Sequence, residues 1–216
     1  LTYGFDKKSN YQIFNVIKKR NCSIFDLKIQ VVGSKIYKVQ NIQVNLLGDH
    51  NVTNATASIA IALNLGIKIG IIKRALKKFS GIQRRFTKVF SIDNRDFYDD
   101  YAHHPTEIKA VINSARQVYS DRKIICVFQP HRYSRIKSLK KEFALSFKLS
   151  NAVVLCPIYA AGEKFDNNFS QDYFSQLIAK KSRTQVINIK NKNELKIFLK
   201  KNLFDDEMVI CMGAGS

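Results

Sequence analysis

The stretch "KIICVFQPHRYSR", residues 123–135, joins a short apolar run to a loop crowded with polar and basic side chains. The run is apolar at consecutive positions rather than at every second one, which is typical of a strand covered on both faces of a parallel sheet. Packing does not account for the side chains that follow it in one short loop: His131, Arg132, Tyr133 and Arg135. The stretch therefore predicts a buried parallel strand and raises the question of what its loop binds.

The same order of strand, loop and helix repeats from about residue 86 onward. Strands are predicted near residues 96–100, 123–128, 152–156, 185–189 and 207–212. Helices are predicted between them, near residues 105–119, 136–149, 170–181 and 193–202. This alternation predicts an α/β fold with a mostly parallel sheet and helices on both of its faces.

The first part of the chain follows a different pattern. Polar and apolar residues alternate in short bursts through residues 1–47, which predicts strands of an antiparallel or mixed sheet. Helical spacing then begins at Asn51, and two helices are predicted before Gly81. The segment "IQRRFTKVF", residues 82–90, has no strong helical pattern and is interpreted as a linker that leads into a new strand.

Four unusual loops follow strands of the repeating region. The loop "DDYAHHP" (99–105) follows the first strand, "QPHRYSR" (129–135) the second, "PIYAAGEKF" (157–165) the third and "GAGS" (213–216) the last. In parallel sheets, ligands bind outside the carboxyl ends of the strands, which share one edge. The order of these loops therefore predicts a binding site at that edge.

Some residues of these loops also have a purely structural interpretation. Asp99, His104 and Thr106 suit the cap of the following helix, and adjacent histidines without a partner motif are weak evidence for a metal site. Arg132 and Arg135 lie three residues apart near a helix N-terminus, where they repel each other unless an anion lies between them. The alternative for this pair is two solvated surface arginines.

A further pair of polar residues lies near the start of the first predicted helix. His50 and Asn54 are four residues apart, a spacing that places an imidazole and an amide on one face, where they could read the edge of a base. As an isolated signal the pair is equally compatible with a helix cap. The glycine-rich turn "GAGS" is also a weak signal by itself.

Composition restricts the class of protein. The 216 residues are 45% hydrophobic and 25% charged, which is ordinary for a soluble globular protein, and no run has the length of a membrane span. The net charge of +19 suggests nucleic acid or an anionic substrate, but the basic residues are scattered and no nucleic-acid motif accompanies them. The four cysteines form no CxxC pair, which favours a reducing cytoplasm. The two ends of the chain are interpreted as those of a fragment.

Taken together and in this order, the motifs resemble the Mur ligases. The resemblance is carried by "GDHNVTNATASIAIALNLGI", "FSGIQRRF", "DDYAHHPTEIKA", "FQPHRYSR", "YAAGE" and "GAGS", from residue 48 to the C-terminus. It implies that residues 1–83 are the C-terminal part of the family's central ATP-binding domain, with a mixed sheet. Residues 84–216 would be most of its Rossmann-like C-terminal domain.

The resemblance also implies a reaction and roles for particular residues. ATP would phosphorylate the lactyl carboxylate of UDP-N-acetylmuramate, and the amine of L-alanine would attack the acyl phosphate to form an amide during peptidoglycan precursor synthesis. His50 and Asn54 would hold the adenine of ATP. The residues implied in catalysis are Arg85 at the ATP phosphates, Asp100 at the ribose, and His103. The residues implied around the alanine and the muramoyl group are Tyr101, His103, Arg132 and Arg135, with the arginines on the amino-acid carboxylate.

The cofactors and partners follow from the same resemblance. ATP with Mg²⁺ is implied, with the phosphate-binding loop and the magnesium ligands expected outside this chain and no metal ligand assigned within it. The implied partners are UDP-N-acetylmuramate, L-alanine and ATP, with no nucleic acid and no membrane, in the cytoplasm. Two alternatives are a related ligase that reattaches recycled tripeptide and a basic nucleic-acid-binding α/β module. Without the phosphate loop, the fragment is expected to be inactive alone.

Overall fold

The computed structural model describes residues 1–19, 22–30, 36–203 and 205–215. These residues form two compact units, Leu1–Gly81 and Ile82–Ser216. None of the helices in the described ranges is long and apolar enough to cross a lipid bilayer.

The first unit contains a mixed sheet and two helices within its described residues. The sheet has the strand order β1-β2-β3-β4, with β1 parallel to β2 and the other neighbours antiparallel. The elements are β1 (Tyr3–Gly4), β2 (Tyr11–Lys18), β3 (Ser23–Ile29), β4 (Tyr37–Val44), α1 (Asp49–Asn64) and α2 (Ile69–Lys78). The mixed sheet followed by two helices confirms the pattern predicted from the sequence.

The core of the first unit lies between the sheet and the helices. Phe25 and Leu27 of β3 pack in one buried cluster with Val52 and Ile59 of α1. The helix α1 begins two residues earlier than the apolar spacing predicted, because Gly48 adopts φ 90 and turns the chain into it. The carbonyl of Gly48 accepts hydrogen bonds from the amides of Asn51 and Val52.

The second unit contains a six-stranded sheet among its described residues, in the order β5-β6-β10-β7-β8-β9. Its strands are β5 (Thr87–Ile92), β6 (Arg95–Asp100), β7 (Lys123–Phe128), β8 (Ala152–Leu155), β9 (Gln185–Asn188) and β10 (Glu207–Met212). Its helices are α3 (Pro105–Val118), α4 (Tyr133–Ser138), α5 (Lys140–Ala144), α6 (Gln171–Ser182) and α7 (Lys192–Lys201). The strand β5 runs antiparallel to β6, whereas β6, β10, β7, β8 and β9 are parallel neighbours. The predicted α/β fold with a mostly parallel, Rossmann-like sheet is confirmed.

Two elements differ from the sequence-based expectation. The single helix predicted near 136–149 is two short helices, α4 and α5, because Leu139 between them leaves the helical conformation at φ −114 and ψ 24. Beyond this break, Phe143 and Phe147 pack against Phe128 of β7. The other difference is β5, whose side chains are exposed almost throughout, so that no pattern of buried residues marks it in the sequence.

Both faces of the parallel sheet are covered, as the apolar run in β7 predicted. Ile124, Cys126 and Phe128 belong to a buried cluster that also contains residues of α3, α5 and α6. Ile125 and Val127 belong to a second cluster, against which apolar residues of α7 pack. Successive residues of β7 therefore face opposite layers of the unit.

The register of the sheet aligns the carboxyl ends of its parallel strands. Asp100 of β6 pairs with Met212 of β10, which pairs with Phe128 of β7. Phe128 pairs in turn with Leu155 of β8, and Leu155 with Asn188 of β9. The four unusual loops therefore start from one edge of the sheet, as predicted.

Candidate functional site

The loop after β7 and the loop after β8 are joined by backbone hydrogen bonds beyond the ends of their strands. The amide of Tyr159 donates to the carbonyl of Pro130 at 2.8 Å, and the amide of Arg132 donates to the carbonyl of Tyr159 at 2.9 Å. Ser134, in the first turn of α4, donates its amide to Glu163 Oε2 at 3.1 Å and its hydroxyl to Glu163 Oε1. These contacts attach the "HRYSR" segment to the "YAAGE" segment.

Three basic side chains are gathered in this segment: His131, Arg132 and Arg135. The distance from Arg135 Nη1 to His131 Nδ1 is 3.4 Å, and because a guanidinium can only donate, Nδ1 must be the unprotonated nitrogen. Burial lowers the pKa of His131, and the charges of Arg135, His103 and Arg132 lower it further, while Glu163 acts in the opposite direction. The positive charge of the segment therefore lies on its two arginines.

The "DDYAHHP" loop brings a second set of rings to the same place. The ring of Tyr101 lies 5.2 Å from that of His103, which lies 5.9 Å from that of His131. The ring of His131 lies 5.5 Å from that of Tyr159. The predicted substrate residues Tyr101 and His103 are thus brought beside the basic segment of the neighbouring loop.

The orientation of the His103 ring is set by its own loop. Its Nδ1 lies 2.9 Å from the carbonyl oxygen of Tyr101 and 3.5 Å from Glu107 Oε2. A carbonyl can only accept, so Nδ1 carries the proton in this hydrogen bond. In the neutral imidazole, Nε2 is then the nitrogen that can accept a proton or a hydrogen bond.

The neighbouring His104 caps the following helix, which is the structural role considered for it from the sequence. Its Nδ1 accepts a hydrogen bond from the amide of Thr106 at 3.3 Å, and Glu107 Oε2 accepts from the amides of His103 and His104 at 3.0 and 3.1 Å. This reciprocal arrangement is a capping box at the start of α3. Burial opposes the ionisation of Glu107, but the hydrogen bonds and the positive charges around it keep its pKa below the usual range. Asp99 does not take part in this cap and instead forms an ion pair with Arg84.

Asp100 lies at the end of β6 and is only 3% exposed. Its Oδ1 accepts from the amide of Ala102 and its Oδ2 from the amide of Phe86, each at 2.7 Å. Burial raises its pKa, and these two amides partly offset that effect. In this arrangement the carboxylate shapes the backbone on both sides of the site, and its contact with ribose stays a prediction.

The two arginines of the predicted linker differ in their surroundings. Arg84 is held by Asp99, with Nε to Oδ2 at 3.2 Å, and by the carbonyl of Gly213, to which Nη2 donates at 2.6 Å. Its guanidinium lies 5.0 Å from the centre of the Tyr101 ring. Arg85 is exposed and lies 5.9 Å from the same ring. Arg85 is therefore the more accessible cation, while Arg84 fastens β10 to the linker.

His50 and Asn54 belong to the first unit. Both lie on α1, four residues apart, so they share one face of the helix as predicted. Asn54 is exposed and His50 is partly buried. Their proposed contact with adenine stays a prediction.

A cavity of about 370 Å³ opens at the carboxyl edge of the second unit. Charged and polar side chains line it together with the apolar ends of the strands, including Arg84, Asp99, Gln129 and Lys192. Gly213 and Gly215 also line it, and a Cβ at these positions would lie 3.0 Å from the carbonyl oxygen and 2.5 Å from Oε1 of Gln129. Gly213 is thus needed for close approach of the backbone to the "QPHRYSR" loop, whereas at Gly215 the flexible Gln129 side chain could move aside.

Two thiols also line this cavity, those of Cys156 and Cys211. Burial raises the pKa of each to about 11, so both are protonated at neutral pH. Across the described ranges of the chain, no group of three or more His, Cys, Asp or Glu side chains is arranged to hold a metal ion.

Sequence reasoning assigned no role to three residues that the structure brings to the site: Arg84, Tyr159 and Glu163. Tyr159 and Glu163 lie in "PIYAAGEKF", which was singled out as a loop but not divided into residues. The available signal was Gly162, which predicts a turn just before the acidic Glu163. For Arg84, the sequence offers no way to choose between the two members of the "RR" pair.

Comparison with known proteins agrees with this geometry. The family described as "Mur ligase, glutamate ligase domain" matches residues 84–215. The chain is 47% identical over 215 residues to a UDP-N-acetylmuramate–L-alanine ligase of Pelagibacter ubique, and 35% identical over 216 residues to the protein of the same name from Roseobacter denitrificans. These matches include 100% of this chain but 46% and 45% of the two relatives.

Solved structures lead to the same family. The crystal structure of the UDP-N-acetylmuramate-alanine ligase MurC from Thermotoga maritima superimposes with a TM-score of 0.77 at 26% identity. The superposition includes 100% of this chain and 44% of that one, so the chain spans a little under half the length of the relatives it matches. Sequence and fold agree that the chain belongs to the Mur ligase family.

Proposed function

We propose that this chain is part of an ATP-dependent ligase that joins L-alanine to the lactyl carboxylate of UDP-N-acetylmuramate. The names of the relatives in Pelagibacter and Roseobacter support this activity. The observation that carries it is the loop with Arg132 and Arg135, in which Arg135 contacts His131 and the His131 ring lies beside that of His103 at the carboxyl edge of the sheet. A small zwitterion with one carboxylate suits such a site, because paired guanidiniums recognise carboxylates.

Each side chain has a distinct task in this proposal. Arg132 and Arg135 bind the carboxylate of the amino acid and so orient its amine. The neutral His131 adds no further charge beside them, and His103 can accept a hydrogen bond from the amine through Nε2. Positioning of this kind supplies much of the rate acceleration in transfer reactions, because the reacting groups are held at a fixed distance.

The proposal also includes the nucleotide, with roles taken from the family resemblance. Residues 1–83 would be the C-terminal part of the central ATP-binding domain, with His50 and Asn54 at the adenine, and residues 84–216 most of the C-terminal domain. Arg85 is the exposed cation available to the phosphates. ATP with Mg²⁺ would supply the phosphoryl group that activates the lactyl carboxylate, and the magnesium ligands are expected outside this chain.

The proposed setting is the cytoplasm, where peptidoglycan precursors are made, and the proposed partners are the three substrates. The arrangement of charge favours a small anion over nucleic acid, since the basic residues His131, Arg132 and Arg135 lie in one short loop and Arg135 contacts His131. The arginine pair is therefore assigned to a small anion and not to a phosphate backbone.

The experiment uses the complete gene product with ATP, Mg²⁺ and UDP-N-acetylmuramate. Phosphate release and formation of the amide are measured with L-alanine, with the recycled cell-wall tripeptide, and with no amine. We expect release that depends on L-alanine. Release that depends on the tripeptide alone would assign the protein to the recycling reaction, and salt-sensitive binding of DNA or RNA without any release would contradict the ligase proposal.

A further inference from the structure

Arg132 has a backbone conformation that residues with a side chain rarely adopt. It lies at φ 69 and ψ 129, immediately before the first turn of α4. A conformation of this kind is unfavourable by itself and persists only where surrounding contacts hold it. The contacts that hold Arg132 are therefore part of how the arginine pair is presented.

The backbone provides the first of these contacts. The amide of Arg132 donates to the carbonyl of Tyr159 at 2.9 Å, and the amide of Tyr159 donates to Pro130 at 2.8 Å. These bonds fix the chain as it enters the turn. They do not reach the residues that leave it, which begin α4.

A side chain provides the second contact, on the far side of the turn. Glu163 accepts the amide of Ser134 on Oε2 at 3.1 Å and the hydroxyl of Ser134 on Oε1. The hydrogen bonds from Ser134 hold the pKa of Glu163 below its usual range. Both oxygens of the carboxylate therefore accept hydrogen bonds from Ser134.

The loop that carries Glu163 is itself built for this presentation. Ala161 and Gly162 have φ 53 and φ 86, and the amide of Glu163 donates to the carbonyl of Ala160 at 3.1 Å, which closes a tight turn. A Cβ at Gly162 would meet no atom within 4 Å, so the backbone conformation alone calls for glycine there. The chain thus accepts an unfavourable conformation at Ala161 in the turn that brings Glu163 to Ser134.

We infer that Glu163 is a positioning residue of the amino-acid site. By holding Ser134, it keeps the turn at Arg132 in its strained conformation, and with it the direction in which the two arginine side chains leave the backbone. This inference deepens the proposed function and rests on it for the identity of the ligand. The hold of Glu163 on the turn does not depend on which ligand is bound.

The first test is kinetic and uses the complete gene product. Ser134→Ala removes the hydroxyl donor of this contact but keeps the amide, and Glu163→Gln leaves one acceptor oxygen for the two donors of Ser134. Each variant therefore weakens the contact and should raise the KM for L-alanine about 10- to 100-fold, because a small displacement of binding groups is enough for such a loss. The KM for ATP and the kcat at saturating L-alanine should stay within about twofold. The double variant should raise the KM for L-alanine no more than the stronger single variant does, because both substitutions weaken the same contact.

Asp166→Asn is the matched control, because it removes the same charge from the same loop at a residue whose Oδ1 accepts from the amide of the neighbouring Asn168. It should leave the KM for L-alanine unchanged. If Glu163→Gln raises this KM while Ser134→Ala does not, the carboxylate acts directly on the substrate and the inference is wrong. Variants in which kcat and the affinity for ATP fall as much as the affinity for L-alanine would also contradict the inference.

The second test needs no catalysis. Limited trypsin digestion followed by mass spectrometry should show faster cutting after Arg132 or Arg135 in Glu163→Gln and Ser134→Ala than in the unsubstituted protein and in Asp166→Asn. Equal cutting in all four proteins overturns the inference. If the unsubstituted protein shows no turnover that depends on L-alanine, the proposed function fails, and trypsin digestion alone then decides the inference.

Discussion

Arg132 has an exposed side chain and a strained backbone, and a second arginine, Arg135, follows three residues later. Two guanidiniums at the start of a helix are unfavourable for each other and for the helix dipole unless an anion lies between them. The negative charge of Glu163 reduces this repulsion, but its two carboxylate oxygens accept hydrogen bonds from Ser134. The pair therefore still has capacity for the carboxylate of a substrate.

Replacing Arg132 tests the site at the scale of one residue. In the complete protein, Arg132→Ala should leave the carboxylate of L-alanine partly unpaired, a loss that typically costs about 2–5 kcal/mol of binding free energy. This corresponds to a roughly 30- to several-thousand-fold lower kcat/KM for L-alanine. Steady-state kinetics in which L-alanine and ATP are varied separately provide the measurement, and the KM for ATP should change little.

Two companion variants give this prediction its controls. Arg132→Lys should recover only part of the loss, because an ammonium keeps the charge but lacks the planar fork of donors. Lys137→Ala removes an exposed cation from the same helix α4 and should have an effect within about 0.5 kcal/mol. If Arg132→Ala behaves like Lys137→Ala, Arg132 is a solvated surface residue.

At the scale of the element, the start of α3 gives the adjacent residues His103 and His104 different roles. The cap uses His104 and Glu107, and the helix then begins at Pro105, whose missing amide costs nothing at that position. His103 lies one residue outside the cap, so its ring is turned toward Tyr101 and His131. The placement of the helix start thus decides which histidine belongs to the site.

The cap of α3 predicts a measurable contribution to stability. Glu107→Ala should lower the free energy of unfolding by about 0.5–2 kcal/mol, as expected for the loss of a helix cap, whereas Glu107→Gln should keep part of it through its amide oxygen. Because the folded pKa of Glu107 is lowered, the charge-dependent part is present above its unfolded pKa of about 4.3 and is lost as the pH falls through the folded value. Urea denaturation measures it.

Lys109→Ala serves as the control for this series. Lys109 is exposed on the same helix, and its substitution should change the free energy of unfolding by less than about 0.5 kcal/mol. Equal values for Glu107→Ala and Lys109→Ala would show that the capping box does not stabilise α3.

At the scale of the second unit as a whole, one ion-pair network closes the edge of the sheet opposite the site. Arg122, just before β7, pairs with Asp96 of β6 and also donates to the carbonyls of Asn94 and Glu207. Lys88 of β5 pairs with the same carboxylate at 2.6 Å. The network therefore joins β5, β6, β7 and β10 at the edge of the sheet opposite the candidate site.

The network predicts how stability depends on pH. Burial opposes the ionisation of Asp96, but the hydrogen bonds from Lys88, Ser91 and Arg122 hold its pKa well below the usual range. A depressed folded pKa means that the stabilisation is fully present above the unfolded pKa of about 3.9 and is lost as the pH falls through the folded value. Arg122→Ala should cost about 1–3 kcal/mol at neutral pH, since the buried carboxylate loses one of its charged donors but keeps Lys88 and Ser91.

Urea denaturation at several pH values checks this prediction. Asp96→Asn should also destabilise the protein at neutral pH, and its difference from the unsubstituted protein should narrow below about pH 4. Asp121→Asn is the control, because Asp121 is the exposed neighbour of Arg122. A constant difference between Asp96→Asn and the unsubstituted protein from neutral to acid pH would contradict the assigned role of the charge.

Much of the fold could be predicted from the sequence because its determinants are local. Apolar runs such as 124–128 can only be buried, and the alternation of strand and helix leaves few possible sheets. The edge of the sheet that carries the site follows from the direction of parallel strands. Local pattern failed at β5, whose exposed side chains carry no signal, and at the break between α4 and α5.

The sequence by itself determined the α/β class and the loops that meet at one edge, and it predicted the basic residue types proposed to bind an anion there. Only the tertiary structure decided that Asp100 is buried, that His104 caps a helix while His103 faces the site, and that Arg84 binds Gly213, 129 residues away. It also decided that Glu163 holds Ser134 across 29 residues. The physical reason is that periodicity and turn preferences act between near neighbours, whereas a hydrogen bond between loops exists only once the sheet has set the distance between them.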